Sequence, residues 1–221
     1  MAFDIVSFAM GEAGIGAPLH GDTVSYLMGK AAGGGGGGGG SILLDRWDFT
    51  SETPLTGVNG GTATKSYVTF DSDGGHFGTS AYIYAPSVEN YDVEQNDIIE
   101  FVIGFAELVF TGVNLTIATQ GNTGLGLGRN TRGDWRFHAD SSGWKGSGIA
   151  TPENLNNRAL KIRVNYDNVQ SWKIYVDDDL VWDAPYTTDL RRIRIGVSAS
   201  DTIVGAIVKY LEIYKVTEDA A

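Results

Sequence analysis

Residues 124 to 138 place glycines, charges and aromatics in strict alternation. Gly124-Leu-Gly-Leu-Gly128 is followed, after a turn over Arg129–Gly133, by Asp134-Trp-Arg-Phe-His138. Successive side chains of a strand point to opposite faces, which puts Leu125, Leu127, Trp135 and Phe137 on a core face. The other face then carries bare backbone at Gly124, Gly126 and Gly128, flanked by Asp134, Arg136 and His138. With residue 128 opposite 134, Gly126 is expected across from Arg136 and Gly124 across from His138. Trp144 follows in a Ser- and Gly-rich stretch. The product is a shallow trough with forked polar groups on one wall and a flat aromatic nearby, the chemistry that binds sugars. The candidate binding residues are Asp134, Arg136, His138, Trp144, Gly124 and Gly126. The competing reading is a solvent-facing strand whose glycines mark a bulge or a close sheet contact.

Other chemistries find less support. Glu100 and Glu107, and likewise Asp45 and Asp48, are separated by odd numbers of positions and face opposite sides of a regular strand. Paired carboxylates for acid–base work are therefore not in view, and no G-x-S-x-G elbow occurs. The three histidines, His20, His76 and His138, are too few for a His-rich metal site. The chain is not expected to be an enzyme. Asp71-Ser-Asp-Gly-Gly75 begins like a calcium loop but lacks the third acidic position and the distal Glu. Asp177-Asp178-Asp179 sits at a hairpin tip. Both read as solvated turns, so no cofactor is expected, calcium being the ion such loops would take. The glycine stripe lacks the G-x-G-x-x-G spacing of a dinucleotide site. Arg132-Gly133-Asp134 reads as a turn, and Asn114-Leu-Thr116 is an acceptor pattern set inside a strand. Trp47, Trp172 and Trp182 read as packing residues.

Composition sets the frame for these residues. The chain has 221 residues, a net charge of −11 and no cysteine. The acidity repels phosphate backbones, which argues against nucleic-acid binding. The absence of cysteine removes disulfides and thiolate chemistry. No apolar run approaches the length of a membrane span, so no membrane insertion is expected. The opening residues lack a basic stretch followed by an apolar one, which points to synthesis in a cytoplasm without a cleaved signal. Glycine numbers 31, about twice ordinary usage, as expected of a turn-rich β protein.

Four segments follow one another. Residues 1–32 hold a short repeat: Val6-Ser-Phe-Ala-Met-Gly-Glu-Ala13 matches Val24-Ser-Tyr-Leu-Met-Gly-Lys-Ala31. Each copy is an apolar patch too small to bury itself, which calls for a partner protein or a second copy of the chain. Phe3, Ile5, Phe8, Met10, Tyr26, Leu27 and Met28 are its candidate anchoring residues. Residues 33–41 are a polyglycine linker, whose eight glycines span about 16 Å as a flexible coil. Residues 42–217 read as strands throughout. Ile99, Phe101, Ile103 and Phe105 share a face; Leu160, Ile162, Val164 and Tyr166 alternate with polar residues; Ile193 and Ile195 alternate with Arg192 and Arg194. One helical turn is expected over Pro152–Asn157. Residues 218–221 form a tail. About a dozen antiparallel strands imply a two-sheet jelly-roll sandwich, all-β.

Two resemblances sharpen this picture. Ser171-Trp-Lys-Ile-Tyr-Val-Asp177, the return Leu180-Val-Trp182 and the final Tyr210-Leu-Glu-Ile-Tyr-Lys-Val216 resemble the end of concanavalin A-like lectin/glucanase domains, including laminin G-like modules. Asp178 stands where that family commonly has glycine. The likeness covers residues 42–217 and implies a concanavalin A-like sandwich that binds glycans. The catalytic E-x-D-x-x-E of the glucanase branch has no match here. Met1-Ala-Phe-Asp-Ile-Val-Ser-Phe-Ala-Met-Gly11, followed by polyglycine, resembles the openings of small tailed-bacteriophage structural proteins. That likeness implies a head fibre or capsid-decoration protein located in the virion. Its N-terminus would bind other virion proteins, its sandwich would touch host-surface glycans, and clustering as a homo-oligomer would raise avidity. A purely structural decoration protein without glycan binding is the alternative.

Overall fold

The computed structural model describes residues 40–110, 114–120, 126–138, 144–185, 189–196 and 203–217. The anchoring candidates in residues 1–32, the polyglycine through Gly39 and the 218–221 tail lie outside them, as does Gly124. The described residues form thirteen strands. These are β1 (Ser41–Asp48), β2 (Thr64–Asp71), β3 (Gly74–Tyr84), β4 (Ile98–Glu107), β5 (Leu115–Thr119), β6 (Gly126–Arg129) and β7 (Asp134–His138). They continue as β8 (Trp144–Ala150), β9 (Ala159–Asn165), β10 (Trp172–Val176), β11 (Asp179–Ala184), β12 (Arg194–Gly196) and β13 (Ile207–Val216). All pairs are antiparallel. The all-β class expected from the alternation is what the chain adopts. The expected helical turn at Pro152–Asn157 is instead irregular chain with a bridge from Asn154 to Val109. The one short helix among the described residues is a 3-10 turn at Val88–Asn90, opened by the Ser87 hydroxyl.

The strands follow one another as β11-β10-β9-β4-β13-β3-β12-β5-β6-β7-β8, with β1 beside β13 and β2 beside β3. The sheet folds over on itself where β13 touches β3 at only two positions, Ile207 to His76 and Val208 to Gly75. Its two halves then stack. The Phe137 ring of β7 meets Trp172 of β10 edge-on at 4.7 Å and Trp182 of β11 at 6.4 Å. Edge-to-face contacts of this kind add roughly 1 kcal/mol beyond area burial. Trp47, Trp135, Trp172, Phe101, Phe105 and Phe137 are among the fully buried side chains.

Strand β4 is covered on both faces. Ile99, Phe101, Ile103 and Phe105 face the core, as the alternation predicts. On its reverse face Glu100 receives Arg163 in two hydrogen bonds, at 2.6 and 3.0 Å, and the Tyr210 ring lies across Gly104. Glu100 is thus committed to an ion pair, while Glu107 is exposed. The two acidic turns hold protein donors. Asp177 accepts from Arg158 Nε and the Ala159 amide, each at 2.9 Å, and Asp71 pairs with His76 at 2.8 Å. Asp178 pairs with Lys161 at 2.6 Å.

Candidate functional site

The register of six adjacent strand pairs builds one continuous row on the face of β2-β3-β12-β5-β6-β7-β8 that points away from the core. Thr64 lies opposite Tyr84, Tyr84 opposite Arg194, Arg194 opposite Thr119, Thr119 opposite Gly126, Gly126 opposite His138, and His138 opposite Trp144. Seven strands at ordinary spacing span about 29 Å. A second row places Ser66, Tyr82 and Gly196 at one end, and Thr116, Gly128, Arg136 and Gly146 at the other.

The expected register is off by two residues. Gly126 faces His138, not Arg136, and Arg136 faces Gly128, because the turn after β6 begins at Asn130 and Arg129 is still paired with Trp135. A shift of two preserves the faces, so Leu127, Trp135 and Phe137 still enter the core and Arg136 and His138 still face outward. The glycines have a structural cause. A side chain on Gly126 would come within 2.3 Å of the Ala118 carbonyl, and one on Gly128 within 2.1 Å of the Leu115 carbonyl. Strand β5 bulges between Thr116 and Ala118, and bare backbone on β6 lets it approach.

Arg136 is not an open fork at the edge of a trough. It is 4% exposed, donating from Nε to the Leu115 carbonyl and from Nη2 to Thr116 Oγ1, both at 3.2 Å. The Trp144 ring lies over its guanidinium at 4.1 Å, and His138 meets the same indole edge-on at 5.4 Å. Trp144 is thus the first residue of β8 and part of the sheet. His138 Nδ1 is buried without a hydrogen-bond partner among the described residues. The structure therefore brings Arg136, His138, Trp144 and Gly126 into one cluster. Asp134 lies at the far end of β7, opposite Ala150.

The other end of the face repeats the motif. Arg194 is 8% exposed, donates to Thr119 Oγ1 at 3.2 Å and lies over Tyr82 at 5.4 Å. Burial pulls its pKa down, against the nearby Tyr82 and Tyr84. Arg192, exposed, lies over the Tyr84 ring at 5.3 Å and donates to the Tyr84 hydroxyl at 3.0 Å. The alternation of Arg192 and Arg194 with isoleucines marked them as outward-facing, but no feature of β12 says that it pairs with both β3 and β5. Between His138 and Tyr84 lie four strand spacings, about 19 Å. The face thus offers two arginine–aromatic clusters joined by threonine hydroxyls and bare backbone. Flat rings take the apolar face of a ligand, and the hydroxyl and guanidinium groups take its polar edge. Among the described residues no group of three His, Asp or Glu converges to hold a metal ion.

No family model matches the chain, and no curated protein sequence matches it. Solved structures do. The sialidase of Trypanosoma rangeli in complex with 2,3-difluoro-KDN superposes with a TM-score of 0.55 at 15% identity, over 80% of this chain and 31% of the sialidase. The same enzyme in complex with sialic acid gives 0.51 at 14% identity, again over 80% and 31%. Domain 4 of AbnA, a GH43 extracellular arabinanase from Geobacillus stearothermophilus solved with arabinotriose, gives 0.49 at 15% identity over 81% and 95%. The chain spans about a third of the length of the sialidase it matches. At these identities the likeness to the sialidase establishes a shared β-sandwich fold and nothing further.

Proposed function

We propose that residues 42–217 are a glycan-binding sandwich, with its ligand lying across the face that carries Trp144, Arg136 and His138. The chain would display this sandwich on a phage particle as a head fibre or decoration protein. The observation that carries the binding half is Trp144. Arg136 is held from below by the β5 backbone and Thr116, which fixes the indole above it beside His138. A ring held in this way loses little freedom when a sugar stacks on it. The sialidase with this fold is solved with sialic acid, which fits the same ligand class. The display half rests on sequence: the Met-Gly repeat of residues 1–32 and the tether Gly33–Gly40. Tethered copies would raise weak single-site affinity through effective concentration.

The test is a glycan array probed with the full chain on beads. A specific signal is expected, reduced about tenfold or more by Trp144→Ala, a loss of about 1.4 kcal/mol. A blank array from folded protein would remove the binding half. One observation favours that second reading, a purely structural cover for the particle: Arg136 and Arg194 are 4% and 8% exposed and serve the fold itself. For the display half, deleting residues 1–32 is expected to abolish incorporation into particles, measured by protein content of purified virions. Unchanged incorporation would refute it.

A further inference from the structure

A cavity of about 420 Å³ lies between two loops at one end of β2 and β3, lined by Asn59, Gly60, Gly61, Thr62, Pro86, Asn90 and Tyr91. Ligand pockets start at about 300 Å³, so the space admits a small molecule. We propose that this cavity is a second binding site, for one uncharged sugar ring.

Its walls are fixed by a single carboxylate. Asp45 is fully buried, because a bulge in β1 between Leu43 and Asp45 turns two consecutive residues inward. It accepts from the amides of Arg46, Asn59 and Gly61 and from the Tyr91 hydroxyl, all between 2.8 and 2.9 Å. A side chain on Gly57 or Gly61 would strike this carboxylate at 2.3 Å, so the loop can wrap it only with glycine there. Trp47 Nε1 adds a hydrogen bond to the Gly61 carbonyl at 3.1 Å, and Asn59 Nδ2 one to the Leu44 carbonyl at 2.9 Å. Both loops are thereby set before any ligand arrives.

The lining decides the ligand class. Its sole ionisable group is the Tyr91 phenol, which burial and the hydrogen bond to Asp45 keep neutral well above its ordinary range. The Asn90 side-chain carboxamide and the Thr62 hydroxyl make no hydrogen bond among the described residues, and Asn59 has a side-chain oxygen to spare. Gly60, at φ +90°, leaves open space where a side chain would stand. Pro86 and the Tyr91 ring supply apolar surface. Amide forks, a hydroxyl and flat apolar walls without charge match a hydroxyl-rich neutral ring and exclude an anion's usual partners.

The site shares a ligand class with the face bearing Trp144 but none of its residues, and one experiment separates them. The five tryptophans give five indole N–H resonances. That of Trp47 reports the Gly61 wall, and that of Trp144 reports the face. The full chain is titrated with the methyl glycosides of galactose, glucose and N-acetylglucosamine at millimolar concentrations, followed by proton–nitrogen correlation spectra. The expected result is a saturable shift of Trp47 and of the Gly60 and Gly61 amides with at least one glycoside, weakened tenfold or more by Asn90→Ala. Asn90 is exposed, so this variant keeps the fold. A shift of Trp144 without Trp47 would overturn the second site and leave the face standing. An unmoved Trp47 with all three glycosides, or a shift that Asn90→Ala leaves intact, would also overturn it.

Discussion

Glycine does two different jobs at single positions of this sandwich. At Gly128 a methyl group would meet the Leu115 carbonyl at 2.1 Å, a backbone atom fixed by the bulged β5 ladder. At Gly104 it would meet the Tyr210 ring at 2.2 Å, a side chain on the reverse face that is only half-buried. A ring can turn aside, whereas a paired strand cannot move without breaking its ladder. Gly128→Ala is therefore expected to cost about 3 kcal/mol and Gly104→Ala about 1–2 kcal/mol, read from urea midpoints. Equal losses would show that β5 yields as readily as a tyrosine. The same residues mark what can be read from sequence. The outward direction of Arg136 and His138 follows from alternation. The burial of Arg136 does not, because it depends on Thr116 and on Trp144, twenty positions before it and eight after, reaching it through strand pairing.

Bulges decide what alternation cannot. Strands with one clean apolar face, such as β9 and β10, follow the expected period-2 pattern. Asp45 and Asp48 face opposite sides of β1, as their odd separation implies. Alternation does not foresee that Asp45 is fully buried directly beside Leu44, because the bulge belongs to the pairing of β1 with β13 and not to β1 alone. The hairpin between β10 and β11 shows the opposite case, a turn whose acidity has a local use. Asp177 takes φ +56°, and its carboxylate ties the hairpin to β9 through the Ala159 amide and Arg158. Burial raises its pKa, but those donors outweigh the effect and leave it below the ordinary value. A carboxyl depressed in the folded state adds stability that is present above its unfolded pKa and is lost as pH falls through the folded one. Stability is thus expected to drop below about pH 4, with Asp177 contributing to the slope. Asp177→Asn keeps the left-handed turn and removes the titration. It should flatten that part of the curve in urea midpoints measured between neutral and acid pH. An unaltered slope would show that the carboxylate's bonds add nothing net in water.

At the scale of the molecule, class and topology have different sources. Periodicity, turn residues and the lack of long helical patterns carry the all-β sandwich. The strand order depends on which edges meet, and the meeting of Phe137 with Trp172 and Trp182 is set by long-range packing that no local pattern encodes. The described core runs from Leu44 to Tyr214 and is contributed wholly by the strands and loops of residues 42–217. Contacts within the chain divide it near Gly38, at the polyglycine. Eight consecutive glycines carry no side chain that could transmit packing energy along the chain. A chain starting at Gly40 is therefore expected to unfold in one transition, with Tm within about 2 °C of the full chain, corresponding to less than about 1 kcal/mol for a domain of this size. Differential scanning calorimetry of the two proteins decides it. A larger fall in Tm would mean that residues 1–39 contribute to the stability of the sandwich. The proposed anchor would then be part of the fold, and its deletion could not be read as a loss of anchoring alone.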